Sequence, residues 1–186
     1  RLAKERWKNV WNERRHINEY KFVDSYVDVS DVKENHFFID CCDYEKIKDS
    51  YWFVMSNGYV RNADGILLHR FIMDAPEKMV VDHIDHNPLN NRRDNLRVCT
   101  NSENSRNRAL TNFESGCNGV CKNNRKTRWV ATISVDGKSK NLGAFENIDD
   151  AIKTRKAAEE KYYGDFKYDK EQDYRFRDDK NEVSYG

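Results

Sequence analysis

The residues best suited to chemistry lie between Val81 and Arg108, where carboxylate, imidazole and amide side chains follow one another closely. Asp82 and His83 are adjacent in a short apolar run, and Asn95 and Asn104 follow. A neutral imidazole with its ordinary pKa of about 6.5 can take a proton from water at neutral pH. A hard divalent cation on oxygen ligands would neutralise charge on a phosphate. The segment therefore predicts a metal-dependent site for phosphodiester hydrolysis.

The elements that carry these residues are predicted from apolar runs and capping signals. Residues 79–84 and 96–99 are strand-like, and they are joined by a loop at Asn87-Pro88 and a basic, amide-rich connection. On a strand, Asp82 and His83 point to opposite faces unless a bulge splays them. Thr100 and Glu103 form a capping-box pattern, which places Asn104 on the first turns of a helix.

This order of residues resembles the His-Asn-His (HNH) endonuclease family, in the phage and intron homing branch that has asparagine as its last motif residue. The resemblance implies a strand–strand–helix (ββα-metal) fold in which Asp82 and Asn104 hold one divalent cation, magnesium or another such as manganese. It also implies that His83 is the general base and that Asn95 orients it. The alternative for Asn91 and Asn95 is that they satisfy backbone groups of the loop.

The histidines and cysteines outside this motif are the other candidate ligands. His69 lies in a Leu-His-Arg run that the family commonly carries before its metal motif, so we expect it to contact phosphate or brace the site; the alternative is a buried histidine. His86 stands where the family often has glycine and is interpreted as a loop substitution. The five cysteines contain no Cys-x-x-Cys pair, so free buried thiols are expected rather than zinc.

The stretch from Gly116 to Phe166 predicts three strands followed by a helix. Asp136-Gly137 is a hairpin signal, Asn147 can cap the helix, and Gly164 ends it. Alternation along the second strand predicts a core face, which consists of Trp129, Ala131, Ile133 and Val135.

These residues resemble the APETALA2-type DNA-binding domain over about fifty residues, through Gly119-Val120, Trp129, Ala131, Ile133, Leu142-Gly143, Phe145 and Ala157-Ala158. In that family the exposed sheet face enters the major groove. The resemblance implies a DNA-reading set here, comprising Cys121, Asn123, Thr132, Ser134, Ser139 and Asn141, with base or phosphate contacts from Arg125, Arg128, Lys138 and Lys140. The chain lacks several of the family's arginines, so the target sequence does not transfer. The alternative is a small domain that only packs on the nuclease.

Positive charge is concentrated where phosphates are expected. The whole chain has a net charge of only +1, whereas residues 88–130 carry nine Lys/Arg against three Asp/Glu. Residues 17–60 carry four against nine. We therefore expect phosphate contacts from the basic arm. Its members are Arg92, Arg93, Arg97, Arg106 and Arg108, of which Arg93 or Arg97 is the best candidate for the scissile phosphate.

We predict an α+β protein of two small modules: a strand-strand-helix nuclease module followed by a three-stranded antiparallel sheet plus helix. The divisions are residues 1–50 (a helix and short strands), 51–110 (nuclease), 116–166 (DNA-binding domain) and 167–186 (charged tail). An odd cysteine count without an apolar signal or spanning run favours the reducing cytoplasm of a bacterial or phage-infected cell, with no membrane partner. A start at Arg1 rather than Met is compatible with removal of an upstream piece.

The function that follows is a site-selective endonuclease of the homing type, acting on double-stranded DNA. As a monomer it would nick, whereas a weak dimer could cut both strands. Two alternatives stay open: a decayed nuclease kept as a DNA-binding regulator, and a structure-selective or RNA-directed nuclease.

Overall fold

A computed structural model describes residues 18–108 and 114–175 of the chain, which divides into two compact units, residues 1–98 and 99–186. The predicted helix near Trp7 and the last residues of the tail, 176–186, lie outside the described residues. None of the helices in the described ranges has the length and apolar character needed to span a bilayer.

The first unit begins with an antiparallel three-stranded meander. Its strands are β1 (Glu19–Val23), β2 (Tyr26–Ser30) and β3 (His36–Asp40), in the order β1-β2-β3. Alternate residues of β2 and β3 are buried, because one face of the sheet packs on the core and the other does not. A 3-10 turn (Cys41–Asp43) and a short helix, α1 (Tyr44–Ile47), follow β3.

A hairpin and a helix complete the core of the first unit. The strands β4 (Trp52–Val54) and β5 (Val60–Asn62) pair, an isolated bridge joins Arg61 to Leu67, and α2 (Leu68–Ile72) follows. The side chains of Trp52 and Ile72 are fully buried together with Val29 and Phe37 of the meander. The predicted segments 1–50 and 51–110 thus share one hydrophobic core.

Two further strands, β6 (Val80–His83) and β7 (Leu96–Cys99), form a two-stranded sheet and carry the residues singled out by the sequence. The connection between them, residues 84–95, ends in a 3-10 turn (Arg93–Asn95). Part of this connection lies beside β3, because Phe38 accepts a main-chain hydrogen bond from Asn91 and donates one to Leu89. We call residues 84–95 the site loop.

The second unit has the predicted three strands and helix. After α3 (Asn101–Asn104) come β8 (Val120–Lys122), β9 (Trp129–Val135), β10 (Lys138–Phe145) and α4 (Ile148–Tyr163), with a 3-10 turn at Gly164–Phe166. The sheet is antiparallel, in the order β10-β9-β8. Asp136 and Gly137 have φ of 52° and 73°, which suits the two-residue turn between β9 and β10.

Helix α4 begins and ends where the sequence predicted. The Asn147 side chain accepts a hydrogen bond from the Asp149 amide, and Gly164 caps the other end with φ of 53°. The predicted core face of β9 is confirmed, because Ala131 and Ile133 are buried and Ala131 shares a cluster with Ala151 of α4. The first residues of the tail also pack, since Tyr168 and Asp173 are buried.

None of the five cysteines, all of which lie in the described ranges, forms a disulfide bond. Only Cys99 and Cys117 are buried, however, whereas Cys42 and Cys121 are exposed. The prediction that the thiols are buried was therefore wrong for Cys42 and Cys121.

Candidate active site

The two residues at the end of β6 are both buried: Asp82 is 8% exposed and His83 is 6% exposed. A strand sends neighbouring side chains to opposite faces, so burial of both means that each face of this short strand is covered. A buried carboxylate and a buried imidazole both need polar partners.

The carboxylate of Asp82 is paired with Arg97 on the neighbouring strand β7. The Nε and Nη2 atoms of Arg97 donate to Oδ2 of Asp82 at 2.9 and 2.7 Å. Both side chains of this ion pair are largely buried. Arg97 therefore balances the charge of Asp82 and crosses between the two strands.

The imidazole of His83 lies close to an amide oxygen and to two aromatic rings. Its Nε2 is 3.4 Å from Oδ1 of Asn91, and its ring is 5.0 Å from the His69 ring and 5.9 Å from the Tyr59 ring, centre to centre. Burial lowers the pKa of His83, although the hydrogen bond with Asn91 opposes that effect. Burial likewise lowers the pKa of His69, to about 3. His69 is therefore a neutral ring beside His83 at physiological pH.

Asn91 is held so that its oxygen faces His83. The residue is fully buried, and its Nδ2 donates to the carbonyl groups of Pro88 and Leu89, both at 3.2 Å. Its backbone amide donates to Phe38 of β3. Since an amide nitrogen donates and an amide oxygen accepts, these bonds turn Oδ1 toward the imidazole.

Asn95, the residue predicted to orient His83, hydrogen-bonds elsewhere. Its Oδ1 accepts from the backbone amide of Asp85 at 3.0 Å, and its Nδ2 donates to Asp85 Oδ1 at 2.8 Å and to the Asn90 carbonyl at 2.9 Å. Asp85 also accepts from the backbone amide of Asn87 and from the side chain of Asn90. Asn95 thus fastens the site loop, as in the alternative interpretation, and its role in orienting His83 stays a prediction.

Asn91 and Asp85 are the residues that sequence analysis undervalued. Asparagine in a polar loop has no distinctive signal, because the same residue type serves most turns. His86 has φ of 63°, a conformation that glycine adopts easily, which explains why glycine suits this place.

Arg92 and Arg93 form ion pairs with acidic residues of the first unit. Arg93 makes a two-point contact with Asp43, at 2.8 and 2.6 Å, and its backbone amide donates to Asp40. Arg92 Nε donates to Asp40 at 3.1 Å. These arginines join the site loop to Asp40 and Asp43, and contact with phosphate stays a prediction.

Asn104 is the last residue of α3, in the second unit. The predicted capping box at the start of that helix is present, since Thr100 and Glu103 exchange hydrogen bonds. Among the described residues there is no cluster of three His, Cys, Asp or Glu side chains placed to share a metal ion. The donors proposed for a cation are one carboxylate and one amide oxygen, a set that suits magnesium or manganese better than zinc.

The second unit separates its predicted DNA-reading residues onto two faces of the sheet. Ser139 pairs with Ser134 and Asn141 pairs with Thr132, so these four share the face opposite the core. Lys138 and Lys140 instead pair with Val135 and Ile133, which places them on the side of the helix. Lys140 Nζ lies 4.7 Å from the centre of the Tyr162 ring of α4. Base or phosphate contacts by these two lysines stay a prediction.

Of the remaining members of that set, Cys121 lies on β8, whereas Asn123, Arg125 and Arg128 lie at the β8–β9 turn. Asn123 closes the turn, because its Oδ1 accepts from the backbone amides of Thr127 and Arg128. Arg125 and Arg128 are exposed, and Arg128 pairs with Glu146 at 3.3 Å. A role for these residues in DNA recognition stays a prediction.

Comparison with known proteins adds family evidence for the first module. Residues 74–106 match the HNH endonuclease family model. A protein of Acanthamoeba polyphaga mimivirus, described as an uncharacterized HNH endonuclease, is 30% identical over 123 residues, which is 62% of this chain and 64% of the relative. Protein 3.8 of Escherichia phage T7 is 37% identical over 68 residues, which is 36% of this chain and 56% of the relative.

The chain thus spans less than two thirds of the length of these two curated relatives. No solved structure matches it. The chain contains an HNH endonuclease family segment, and that segment includes β6, the site loop, β7 and α3.

Proposed function

We propose that the chain is a metal-dependent endonuclease of the homing, mobile-element type that hydrolyses phosphodiester bonds in double-stranded DNA. The observation that carries the proposal is the buried His83 beside Asp82, oriented by a fixed amide, within a segment that matches the HNH family. The proposed enzyme nicks one strand per visit as a monomer.

His83 acts as the general base. Oδ1 of Asn91 can only accept a hydrogen bond, so Nε2 of a neutral His83 carries the proton and Nδ1 carries the lone pair. In this tautomer Nδ1 takes the proton from the attacking water. Asn91 is then a positioning residue, because it fixes the ring and its protonation pattern without touching the substrate.

Asp82 and Asn104 are the residues that would hold the divalent cation. When bound, a magnesium or manganese ion supplies positive charge to the scissile phosphate and its leaving oxygen. Arg97 holds the Asp82 carboxylate in place and is the arginine nearest to it that could also stabilise the phosphate. His69 braces the His83 ring as a neutral neighbour.

The second unit supplies the DNA contacts of the proposed enzyme. Its resemblance to the APETALA2-type domain supports a DNA-reading role for the outer face of the sheet. Four polar side chains form that face, namely Thr132, Ser134, Ser139 and Asn141, and Arg125 and Arg128 lie at its end. Alanine at Ser134 and Ser139 together should weaken the preference for a cognate site more than it weakens binding to unrelated DNA.

The deciding experiment is incubation with supercoiled plasmid, with magnesium or with a chelator. His83→Ala should reduce cleavage by about 10²–10⁴-fold while sparing DNA binding, because a general base contributes that much. His36→Ala is the matched control, since His36 is a half-buried histidine of the same unit that pairs with Asp28.

Each product has a distinct meaning. Metal-dependent relaxed circles that disappear with His83→Ala support a nicking enzyme, whereas linear product supports a dimer or paired sites. Full activity in His83→Ala would remove this residue from the role of base. Competition between duplex DNA and RNA at one stated salt concentration tests the polymer, because any phosphate binder weakens steeply with salt.

A second candidate function, a DNA-binding regulator without catalysis, is favoured by one observation. Arg97 already occupies an oxygen of the Asp82 carboxylate, which a cation would need. For such a regulator, plasmid would stay intact under every metal condition while DNA binding was tight. Calorimetric titration with manganese separates the two functions. The enzyme should show a heat of manganese binding that is lost in Asp82→Ala, whereas the regulator should show no such heat.

A further inference from the structure

The second unit contains a polar cavity that the nuclease site does not use. Its volume is about 260 Å³. Three arginines and one glutamate contribute to its lining, together with residues of β9 and β10. These charged residues are Arg106, Arg108, Arg155 and Glu159. We propose that this arginine cavity binds a single phosphate group.

The first argument is an unused buried donor. Arg155 is only 5% exposed. Its Nε donates to the Asn118 carbonyl at 2.8 Å, and its Nη2 lies 3.2 Å from Oε1 of Glu159. Its Nη1 has no hydrogen-bond partner in the described part of the chain. Because buried donors are almost always paired, this nitrogen points to an acceptor supplied by a ligand.

The second argument is an excess of positive charge. Glu159 is the single carboxylate in the lining, and Lys156 lies 3.3 Å from its Oε2, so two cations share it. Arg106 lies over the Tyr163 ring, 5.5 Å from its centre. Within the described ranges, neither Arg106 nor Arg108 forms an ion pair with a carboxylate. Arginines that converge without carboxylates are suited to phosphate, which accepts hydrogen bonds from their planar, forked donors.

The third argument is that Gly119 keeps the space for Arg155. The glycine has φ of 76°, and a Cβ built there would lie 2.4 Å from the Thr132 carbonyl oxygen and 2.7 Å from Arg155 Nε. The carbonyl group of its neighbour Asn118 is the acceptor that holds Arg155. The space that a side chain at position 119 would occupy is therefore taken by the buried guanidinium group of Arg155.

Two sources could supply the phosphate: the backbone of a DNA strand or a free phosphate ion. The DNA source rests on the proposed function, whereas binding of free phosphate does not. Neither case needs metal or cleavage, so failure of the plasmid assay would not count against the cavity.

The test uses the full chain in chelator, with inorganic phosphate as the probe. Phosphate should raise the thermal unfolding temperature in a saturable way at constant ionic strength, because a ligand that binds only the folded state stabilises it. Arg106→Gln and Arg155→Lys should abolish that rise. Arg106 is half-buried, so its variant keeps the test valid if Arg155→Lys fails to fold. Lys153→Gln is the control, since it removes an exposed charge from α4 outside the cavity.

The salt dependence of duplex binding then identifies the source. Loss of one strand phosphate contact should reduce the slope of log affinity against log salt by about 0.9. A reduced slope in Arg106→Gln but not in Lys153→Gln supports a strand phosphate as occupant. A saturable rise in unfolding temperature with unchanged slopes supports free phosphate. No such rise and unchanged slopes together would overturn the proposal.

Discussion

Asn95→Asp is a nearly isosteric change that tests how the site loop is held. The side chain of Asn95 donates two hydrogen bonds, one of them to the Asp85 carboxylate at 2.8 Å. A carboxyl group there would lose both donors and face a second carboxylate across the same short distance. Both residues are buried, so water would screen the pair poorly.

The expected cost follows from proton linkage. Two carboxylates in one buried site cannot both ionise readily, so the pKa of the new carboxyl should rise about two to three units above its ordinary value near 4. Each unit corresponds to about 1.4 kcal/mol, which gives a loss of roughly 3–4 kcal/mol at pH 8. A raised pKa in the folded state means that stability is retained below pH 4. That stability is lost as the pH rises through the new value of about 6–7.

Urea unfolding at pH 5 and pH 8 measures this difference, and hydrogen exchange of a peptide from the site loop localises it. Asn57→Asp is the matched control, because Asn57 is exposed and its Oδ1 only accepts a hydrogen bond, from Tyr59. Plasmid cleavage at pH 8 should fall with the loop, since Asn91 within it contacts His83. If Asn95→Asp were as stable as Asn57→Asp at pH 8, the assignment of Asn95 as the fastening of the loop would be refuted.

Three other predictions concern single contacts. Asn91→Leu should cost about 1–3 kcal/mol in urea unfolding, because it leaves the carbonyl groups of Pro88 and Leu89 without donors, and it should lower kcat more than it changes KM. Gly119→Ala should destabilise the second unit by roughly 3 kcal/mol or more in urea unfolding. Gly116→Ala, also at positive φ but with no atom near its Cβ, should cost about 1 kcal/mol; equal costs would contradict the clash. Burial raises the pKa of Asp173, but hydrogen bonds from Arg175 and Tyr168 outweigh it and lower the pKa to about 2. Its carboxylate therefore stabilises the fold above its ordinary pKa near 4, and this contribution is lost as the pH falls toward 2. Acid titration followed by circular dichroism should consequently show a smaller loss of stability in Asp173→Asn than in the unchanged chain.

Local signals in the sequence predicted local structure well. The capping box at Thr100 and the ends of α4 at Asn147 and Gly164 depend on residues a few positions apart, and all three are present. The side of the sheet on which Lys138 and Lys140 lie also follows from local signals. A two-residue turn at Asp136-Gly137 places Lys138 opposite Val135. Because side chains alternate between the faces of a strand, Lys140 then lies opposite Ile133, on the same side of the sheet.

Other features depended on contacts between distant parts of the chain. The amide beside His83 is Asn91 because the site loop pairs with Phe38 of β3, far upstream, and no local pattern encodes that pairing. Arg93 is engaged by Asp43 for the same reason. The buried Arg155–Glu159 pair was not predicted, because a charged pair on the packed side of a helix adds nothing to the periodicity of apolar residues.

The pairing of the site loop with Phe38 also limits how the proposed catalytic module could be transferred to another protein. The family match begins at residue 74, yet Leu89 and Asn91 take main-chain partners from β3, which pairs with β2 and through it with β1. A fragment cut at residue 74 would hold all the motif residues and still lose the support that fixes their loop. A graft of the proposed nuclease onto a DNA-binding protein should therefore begin no later than residue 18, because the smallest transferable unit is larger than the motif.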